Sequence, residues 1–591
     1  MKEPSESILC GRRAIENYSE ITLIKDVTWD EHAECWYICF GVLLEDEPIN
    51  LPTYTEWYIT IDDSYPSGTI KVYPANHNGI KGTFFHQSCN AKIAENGQWR
   101  SGDLCLRDPY ADICGQSCEP KDEKTRLDWN FYRTIKWIKA ANKGNLIKAD
   151  DFFELPQIPW TCNLHLVFDE DIVSFMEWES TDSKCGICTL IRKEKVLCVT
   201  EFRDLKGNLC KGTVWGDYFS EKKQCKYEAG WILLKSIPVV NGWQCPINYG
   251  ELFQAIENQG EDFKTLITPL LKKLRKKKAS ILLIGFPIPK LYGGEKNNIH
   301  WWAIRLPKLS NQYSIKTGFR PIERNYVFCD FKFIIKNNRE IEWMITENWT
   351  SESLMSRGMY SIDVCKLNFL IIGCGAVGSS VAEQLVRSGI TRITLMDDDI
   401  LNAGNIVRHS LEYGDIDCKK TNALKRHLSS INCHAKIYEL QSRLEANNAS
   451  VMNEYSVIID CTGNDEVLQL LNERKKAAIV CSVSVGYRAN NVYFGYHKGF
   501  GFPIKKYVDK FRDYIKKDSE DMEGEKIPWE GIGCWNPVFP ACSIDMVMAS
   551  TMAVKLLTKL IDSNCAEDKM ILFQWKEKGN EGIGFYDAVC L

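Results

Sequence analysis

Gly373-Cys374-Gly375-Ala376-Val377-Gly378 is a GxGxxG string set between the apolar run 367–372 and a helix expected over 379–388. Glycines there allow a tight turn and close backbone approach, and the helix start offers unpaired N–H groups to a phosphate. A second expected strand, 392–396, delivers Asp397 nineteen residues after Gly378, where a carboxylate is placed to bind a ribose hydroxyl. Counted from Asp397, the residues Asp399, Asn405, Arg408 and Lys420 follow as D-x-D-x5-N-x2-R-x11-K. The glycine string and Asp397 alone suit an NAD-dependent dehydrogenase equally well. The polar set separates the two chemistries. A dehydrogenase needs no such group beyond its second strand, whereas adenylyl transfer from ATP needs Arg and Lys against the charge on departing pyrophosphate. The plain alternative makes these residues solvated loop charges.

Adenylation leaves an activated carboxyl, and a cysteine can capture it as a thioester. Gly531-Ile532-Gly533-Cys534-Trp535-Asn536-Pro537 continues through Phe539 and Pro540 to Cys542, ahead of a helix expected from about Ile544. A glycine-flanked cysteine in a loop before a helix is exposed and tuned toward the thiolate. Cys534 fits that description, Cys542 stands just before the helix without a flanking glycine, and both can also be read as buried structural thiols. Near the N-terminus, Gly102-Asp103-Leu104-Cys105-Leu106 follows Phe85-His86-Gln87. That string by itself reads as a core cysteine.

The stretch LNFLIIGCGAVGSSVAEQLVRSGITRITLMDDDILNAGNIVRHSL resembles the ubiquitin-activating superfamily, including the bacterial adenylyltransferases that activate sulfur carriers for molybdopterin and thiamine. The resemblance implies ATP and Mg²⁺ as cofactors. It implies that Gly373, Gly375, Gly378 and Asp397 with Asp399 hold the nucleotide, while Asn405, Arg408 and Lys420 contact its phosphates. Arg357, in Ser356-Arg357-Gly358, sits where the family places an arginine that reaches into the partner subunit's site. Val457-Ile458-Ile459-Asp460-Cys461-Thr462-Gly463 resembles the strand and loop carrying a metal-binding aspartate. The family's aspartate position is Gly463 here, which leaves the Mg²⁺ role to Asp460 or Asp465. No CxxC pair occurs beyond residue 346, so no zinc site is expected there. The Cys534 loop is similar to the catalytic-cysteine loop of the conjugation-type relatives, more so than Cys542. The N-terminal succession of strands, Tyr65-Pro66, His86-Gln87-Ser88 and Cys105, with helical tryptophans later, resembles a ubiquitin-conjugating enzyme. On that resemblance Cys105 is the conjugating thiol. The usual His-Pro-Asn motif is altered to His86-Gln87-Ser88, which removes the customary oxyanion asparagine; Asn90 is nearby.

Positioning these groups takes three regions. Residues 1–159 are expected to form an α+β conjugating-type domain. Its strands run near 36–44, 57–61 and 69–73, and a helix from about Lys124 carries Leu127, Phe131, Ile135 and Ile138 on one face. Residues 160–345 read as a mixed middle domain. Its isolated Cys185/Cys188 pair is more naturally structural than metal-binding, and its basic run 272–278 is expected to be the solvated end of a helix. Residues 346–591 alternate strand and helix as a parallel, Rossmann-like α/β sheet does, and the resemblance implies an activating domain of ThiF type. The charged segment 505–526 is expected to be a mobile loop leading to Cys534.

A conjugating-type domain ahead of an activating-type domain resembles the fused enzymes of cyclic-oligonucleotide-based antiphage systems (CBASS). That family implies ligation of the C-terminus of a cGAS-like nucleotidyltransferase to an acceptor protein or small amine, and a homodimer. The alternative is a sulfur-carrier adenylyltransferase without conjugation. Composition bounds both readings. In 591 residues, Lys+Arg 73 against Asp+Glu 78 gives −5, which excludes a polybasic nucleic-acid binder. No apolar run of the ~18 residues needed to span a membrane is present. Residues 1–18 lack the apolar core of a signal peptide. The 25 cysteines therefore point to reduced thiols in the cytoplasm, most of them small buried hydrophobes.

Overall fold

Alternation of large apolar residues builds the first sheet in the computed structural model. Strands β1 (Ile21–Asp30), β2 (Cys35–Leu43), β3 (Tyr54–Ile61) and β4 (Ile70–Pro74) pair antiparallel in sequence order. Trp36, Ile38, Phe40 and Val42 on β2, with Trp57, Ile59 and Ile61 on β3, alternate along their strands and share one core, while Tyr37 and Cys39 on the other face of β2 are buried too. Helices α1 (Glu6–Arg12) and α2 (Thr125–Lys143) belong to the same core. Phe131 of α2 meets Phe40 edge-on at 5.3 Å, and Trp137 meets Trp57 at 6.0 Å. Gly144, at φ +69°, ends α2 in the left-handed conformation that suits glycine.

The structure describes residues 2–107, 119–159, 161–220, 226–277, 280–356, 358, 360–523, 529–530, 536–537, 539–578 and 583–591. They fall into two units, Met1–Thr213 with Cys225–Trp349, and Val214–Gln224 with Thr350–Leu591. In the first unit the region that reads as mixed is a closed sheet. Strands β5 (Cys162–Phe168), β6 (Cys185–Lys193), β7 (Val196–Asp204), β8 (Leu209–Gly212), β9 (Lys226–Leu233), β10 (Ile281–Pro289), β11 (Lys296–Arg305) and β12 (Glu342–Asn348) run in the order β5-β12-β11-β10-β9-β6-β7-β8. Because β5 also pairs with β7, seven strands close into a ring. Leu166, Leu190, Phe202, Trp231, Leu283 and Trp301 share its inner core with Trp178 of α3 (Ile172–Glu179). The opposite face is covered by α4 (Tyr249–Glu257) and α5 (Phe263–Lys277). Cys188 is buried inside the ring and Cys185 half-buried, both on β6.

The second unit carries β13 (Phe369–Ile372), β14 (Arg392–Met396), β15 (Lys436–Leu440), β16 (Val457–Asp460), β17 (Ala478–Val485) and β18 (Asn491–Gly499). Two-residue strands β19 (Trp529–Glu530) and β20 (Asn536–Pro537) pair with each other. Strands β21 (Lys569–Lys578) and β22 (Ile583–Cys590) complete the main sheet in the order β15-β14-β13-β16-β17-β18-β21-β22. Strands β13 to β17 are parallel and the last three join antiparallel. The order 15-14-13-16-17 reverses between β13 and β16, and ligands of such sheets bind at that switch point. Helices α6 (Ala376–Arg387), α7 (Lys420–Ile431), α8 (Asp465–Asn472), α9 (Ile504–Met522) and α10 (Ser543–Asp562) flank the sheet. The segment expected to be a mobile loop, 505–526, is instead mostly helix α9. Tyr507 and Phe511 are buried against the sheet, and that apolar stripe outweighs the charges on the solvent side. Every described cysteine is a free thiol, and no described helix is long and apolar enough to cross a membrane.

Candidate active site

At the switch point the three glycines of the loop have different reasons to be glycine. Gly373 adopts φ +86°, and a Cβ there would lie 2.9 Å from Thr462 Cγ2. A Cβ on Gly378 would lie 1.8 Å from the carbonyl oxygen of Gly373, so α6 could not start against β13. A Cβ on Gly375 would meet nothing within 4 Å. The space above Gly375, at the N-cap of the 12-residue α6, is therefore open for a ligand to approach the backbone. Asp397 stabilises the loop itself: Oδ2 accepts the Cys374 N–H at 2.6 Å, and Oδ1 accepts the Asp399 N–H at 2.7 Å.

Gly375, Asn405, Arg408 and Lys420 line one cleft of about 680 Å³. Lys420 opens α7, and its side chain is only 10% exposed; Nζ lies 3.0 Å from Asp399 Oδ2. Arg408 is half-buried and donates to the Phe539 carbonyl at 2.7 Å. Asn405 Oδ1 accepts the Asn402 N–H at 3.1 Å, which turns its amide nitrogen into the group left for the cleft. Two cations and an amide beside an open helix start form an anion cradle of the size and sign of a polyphosphate. Gly373, Gly378, Asp397, Asp399 and Asp460 support this lining from outside it.

Asp460 ends β16 fully buried. Its Oδ1 accepts from the Thr462 N–H at 3.0 Å and the Thr462 hydroxyl at 2.6 Å, and Oδ2 accepts from the Ser482 hydroxyl at 2.9 Å. Burial pushes its carboxyl above the ordinary value against those hydrogen bonds. Asp465, in the first turn of α8, is the exposed carboxylate in the cleft lining.

Several cleft residues carry no sequence signal. Tyr507, Asp518 and Met522 of α9 form a wall, and Asp518 accepts from Asn491 at 2.8 Å and from Tyr493 at 2.5 Å. Burial pushes the Tyr507 hydroxyl up to about 12. Arg443 pairs with Asp398 at 2.8 Å and lies 3.6 Å from Asp399. His409 Nε2 lies 2.8 Å from the Cys374 carbonyl, and its Nδ1 accepts the Leu411 N–H at 3.3 Å, so Nε2 carries the proton. Burial lowers its basicity. The α9 wall needed the tertiary fold.

The thiols divide by exposure. Cys374, in the loop, and Cys481 are buried and Cys461 is half-buried, and desolvation pushes each thiol well above its ordinary value. Cys542 is exposed at the N-cap of α10, where Asp545 accepts its N–H at 2.8 Å. Cys534, between β19 and β20 in sequence, lies outside the described residues, and Arg357 is outside them too.

In the first unit Cys105 is exposed. Its N–H donates to the His86 carbonyl at 2.8 Å, beside the Gln87–Leu104 bridge. Gln87 accepts from the Phe84 N–H and donates to the Gly102 carbonyl, both at 3.0 Å, and so ties the two sides of the loop together. Arg133 of α2 supports the far side by donating to the Leu106 carbonyl at 2.9 Å. Asn90 is buried, and its amide nitrogen is committed to the Ile80 and Gly82 carbonyls, so it holds the loop rather than facing the thiol.

A family model for the Cap2 central linker domain matches residues 144–349, and a ThiF family model matches residues 357–579. The chain is 32% identical over 529 residues to the ATP-dependent ubiquitin transferase-like protein Cap2 of Enterobacter hormaechei subsp. hoffmannii (strain UCI 50), covering 87% of each protein. It is 26% identical over 113 residues to the adenylyltransferase and sulfurtransferase UBA4 of Yarrowia lipolytica (strain CLIB 122 / E 150), covering 19% of this chain and 28% of that one. Among solved structures, E. coli MccB with succinimide is matched at 15% identity and a TM-score of 0.28, over 38% of this chain and 63% of that one.

Proposed function

The chain belongs to the family of ATP-dependent ubiquitin transferase-like Cap2 proteins, and on that premise we propose that it activates a partner protein's C-terminal carboxylate with ATP and ligates it to an amine. The observation that carries this reading is the gathering of Gly375, Asn405, Arg408 and Lys420 around one open helix start. ATP is the co-substrate. Its phosphates rest on the α6 N-terminus, and the ribose lies toward Asp397 and Asp399. The partner's carboxylate attacks the α-phosphate, a P–O bond to pyrophosphate breaks, and Arg408 and Lys420 neutralise the departing charge. The carboxylates that suit Mg²⁺ are those facing the cleft, Asp465 foremost. Asp460, its oxygens already engaged, acts by fixing Thr462. Mg²⁺ supplies charge neutralisation on the phosphates when bound. Arg357 is assigned to the partner subunit's site of a homodimer.

Cys534 then displaces AMP and forms a thioester, Cys105 takes the acyl group by transthiolation, and an acceptor amine takes it last. The substrate that fits the family's antiphage setting is the C-terminus of a cGAS-like nucleotidyltransferase, in the cytoplasm. The test is incubation of the full chain with ATP, Mg²⁺ and the nucleotidyltransferase of the same operon, with thiol-labile adducts mapped by mass spectrometry. Adducts at Cys534 and Cys105 are expected, followed by amide-linked product. Partner-dependent ATP–pyrophosphate exchange with no amide product would instead mark a sulfur-carrier type of adenylyltransferase.

A further inference from the structure

Beside Cys105 stands a histidine held in an uncommon backbone conformation. His86 has φ +55°, a region that non-glycine residues enter rarely and keep at functional sites when their surroundings enforce it. Here the enforcing group is Glu154. Its Oε1 accepts the His86 N–H at 3.2 Å, and its Oε2 lies 3.1 Å from His86 Nδ1. A carboxylate on Nδ1 fixes the proton there and leaves Nε2 with its lone pair outward. The imidazole is 44% exposed, so that lone pair is reachable from solvent.

The register brings this dyad to the thiol. With Gln87 opposite Leu104 and the Cys105 N–H on the His86 carbonyl, His86 and Cys105 are neighbours across this pairing, joined by one backbone hydrogen bond. That bond places the backbone of the histidine directly against the backbone of the cysteine. The carboxylate comes from the linker domain, since Glu154 falls inside the 144–349 match. The same domain grips the neighbouring residue: Trp243 packs on Phe85 at 4.4 Å between centroids, and Tyr292 meets it edge-on at 5.6 Å.

We infer that His86 is the general base for the last acyl transfer, with Glu154 as its positioning residue supplied by the linker domain. The inference rests on Cys105 being the conjugating thiol. An amine attacks the thioester carbonyl, a C–N bond forms, and its proton passes to His86 Nε2. The C–S bond then breaks, and the same proton goes to the departing Cys105 sulfur. No oxidant or further reactant enters. The linker is thus a working part of the conjugating site as well as a connector.

The test loads Cys105 in the full chain with ATP, Mg²⁺ and the same nucleotidyltransferase, removes ATP, and follows thioester discharge to lysine and to hydroxylamine. Hydroxylamine is already unprotonated near neutral pH and needs no base. His86→Asn, which tolerates positive φ, is expected to load normally and to discharge to lysine roughly 10²–10⁴-fold more slowly. Discharge to hydroxylamine should stay near the parent rate. Glu154→Gln should show the same amine selectivity with a smaller loss. Unchanged lysine discharge from a loaded His86→Asn protein, or equal losses with both amines, would overturn the base assignment while leaving Cys105 in place. Absence of any Cys105 thioester in the parent chain would overturn the reading of Cys105 and the base assignment with it.

Discussion

Lys420 Nζ stands 3.0 Å from the Asp399 carboxylate, inside the cleft that also holds Arg408. The pair aims a nearly buried ammonium and offers it a partner, since an isolated cation there would be costly to desolvate. When a triphosphate arrives, it offers the ammonium a stronger anionic partner than a carboxylate that Arg443 already flanks. Lys420→Met should therefore lower partner-dependent ATP–pyrophosphate exchange by roughly 10²–10³-fold, the usual cost of removing one charge-stabilising donor. Asp399→Asn should act mainly on the KM for ATP. Exchange unchanged in Lys420→Met would remove the lysine from the proposed chemistry.

The loop glycines separate folding from binding. Gly378→Ala forces a Cβ to 1.8 Å from a backbone oxygen, an overpacking that should cost about 3 kcal/mol and lower Tm. Gly375→Ala places its methyl in open space, so Tm without nucleotide should match the parent. Its methyl occupies the approach to the α6 N-terminus, and the stabilisation conferred by ATP in a melting experiment should be lost. A Gly375→Ala protein still stabilised by ATP would show that the nucleotide lies elsewhere.

Strand β8, at the edge of the seven-stranded ring, supplies one half of a buried ion pair, Lys211 Nζ to Glu170 Oε2 at 2.8 Å, with the lysine 4% and the glutamate 0% exposed. Glu170 also accepts from Trp178 at 3.1 Å and Trp301 at 2.9 Å. Removing one partner leaves the other charge buried and unpaired. Lys211→Met should thus lower unfolding stability by about 3–5 kcal/mol, with Glu170→Gln in its presence recovering part of the loss. Chemical denaturation of the four proteins of this cycle measures it. Additive single losses would mean the pair carries no coupling.

What the sequence made readable was local. The spacing Gly373–Gly378 and the polar set ending at Lys420 act over one strand–turn–helix unit, where residue type and position are tied by backbone geometry. The α2 helix was readable for the same reason, since Leu127, Phe131 and Ile138 repeat at helical spacing. The seven-stranded ring was not. Its closure depends on β5 pairing with β7 and with β12, a contact that joins Leu166 to Leu197 on one side and to Thr346 on the other. Helix α9 was misread because its lysines and aspartates dominate the composition, while two aromatics, Tyr507 and Phe511, decide its burial. Glu154 was invisible as well: nothing near it in sequence shows that it meets His86, 68 positions earlier.

Asp460 gives a prediction with a definite sign. Burial is the largest influence on it and raises its folded pKa, while the unfolded carboxyl titrates near 3.9. A group with a raised folded pKa binds its proton more readily in the folded chain. Its favourable contribution is complete below the unfolded value and is lost as pH rises through the folded one. Asp460→Asn is neutral at every pH, keeps the acceptor for both Thr462 donors, and can donate to the Ser482 hydroxyl in place of accepting from it. The Tm of the Asn variant relative to the parent should therefore climb as pH is raised from about 4 to 7, and level off once the parent carboxyl is fully ionised. Calorimetric scans of both proteins across that window measure the difference. A gap that stays flat, or that narrows as pH rises, would show that the Thr462 and Ser482 hydrogen bonds outweigh burial at this carboxylate.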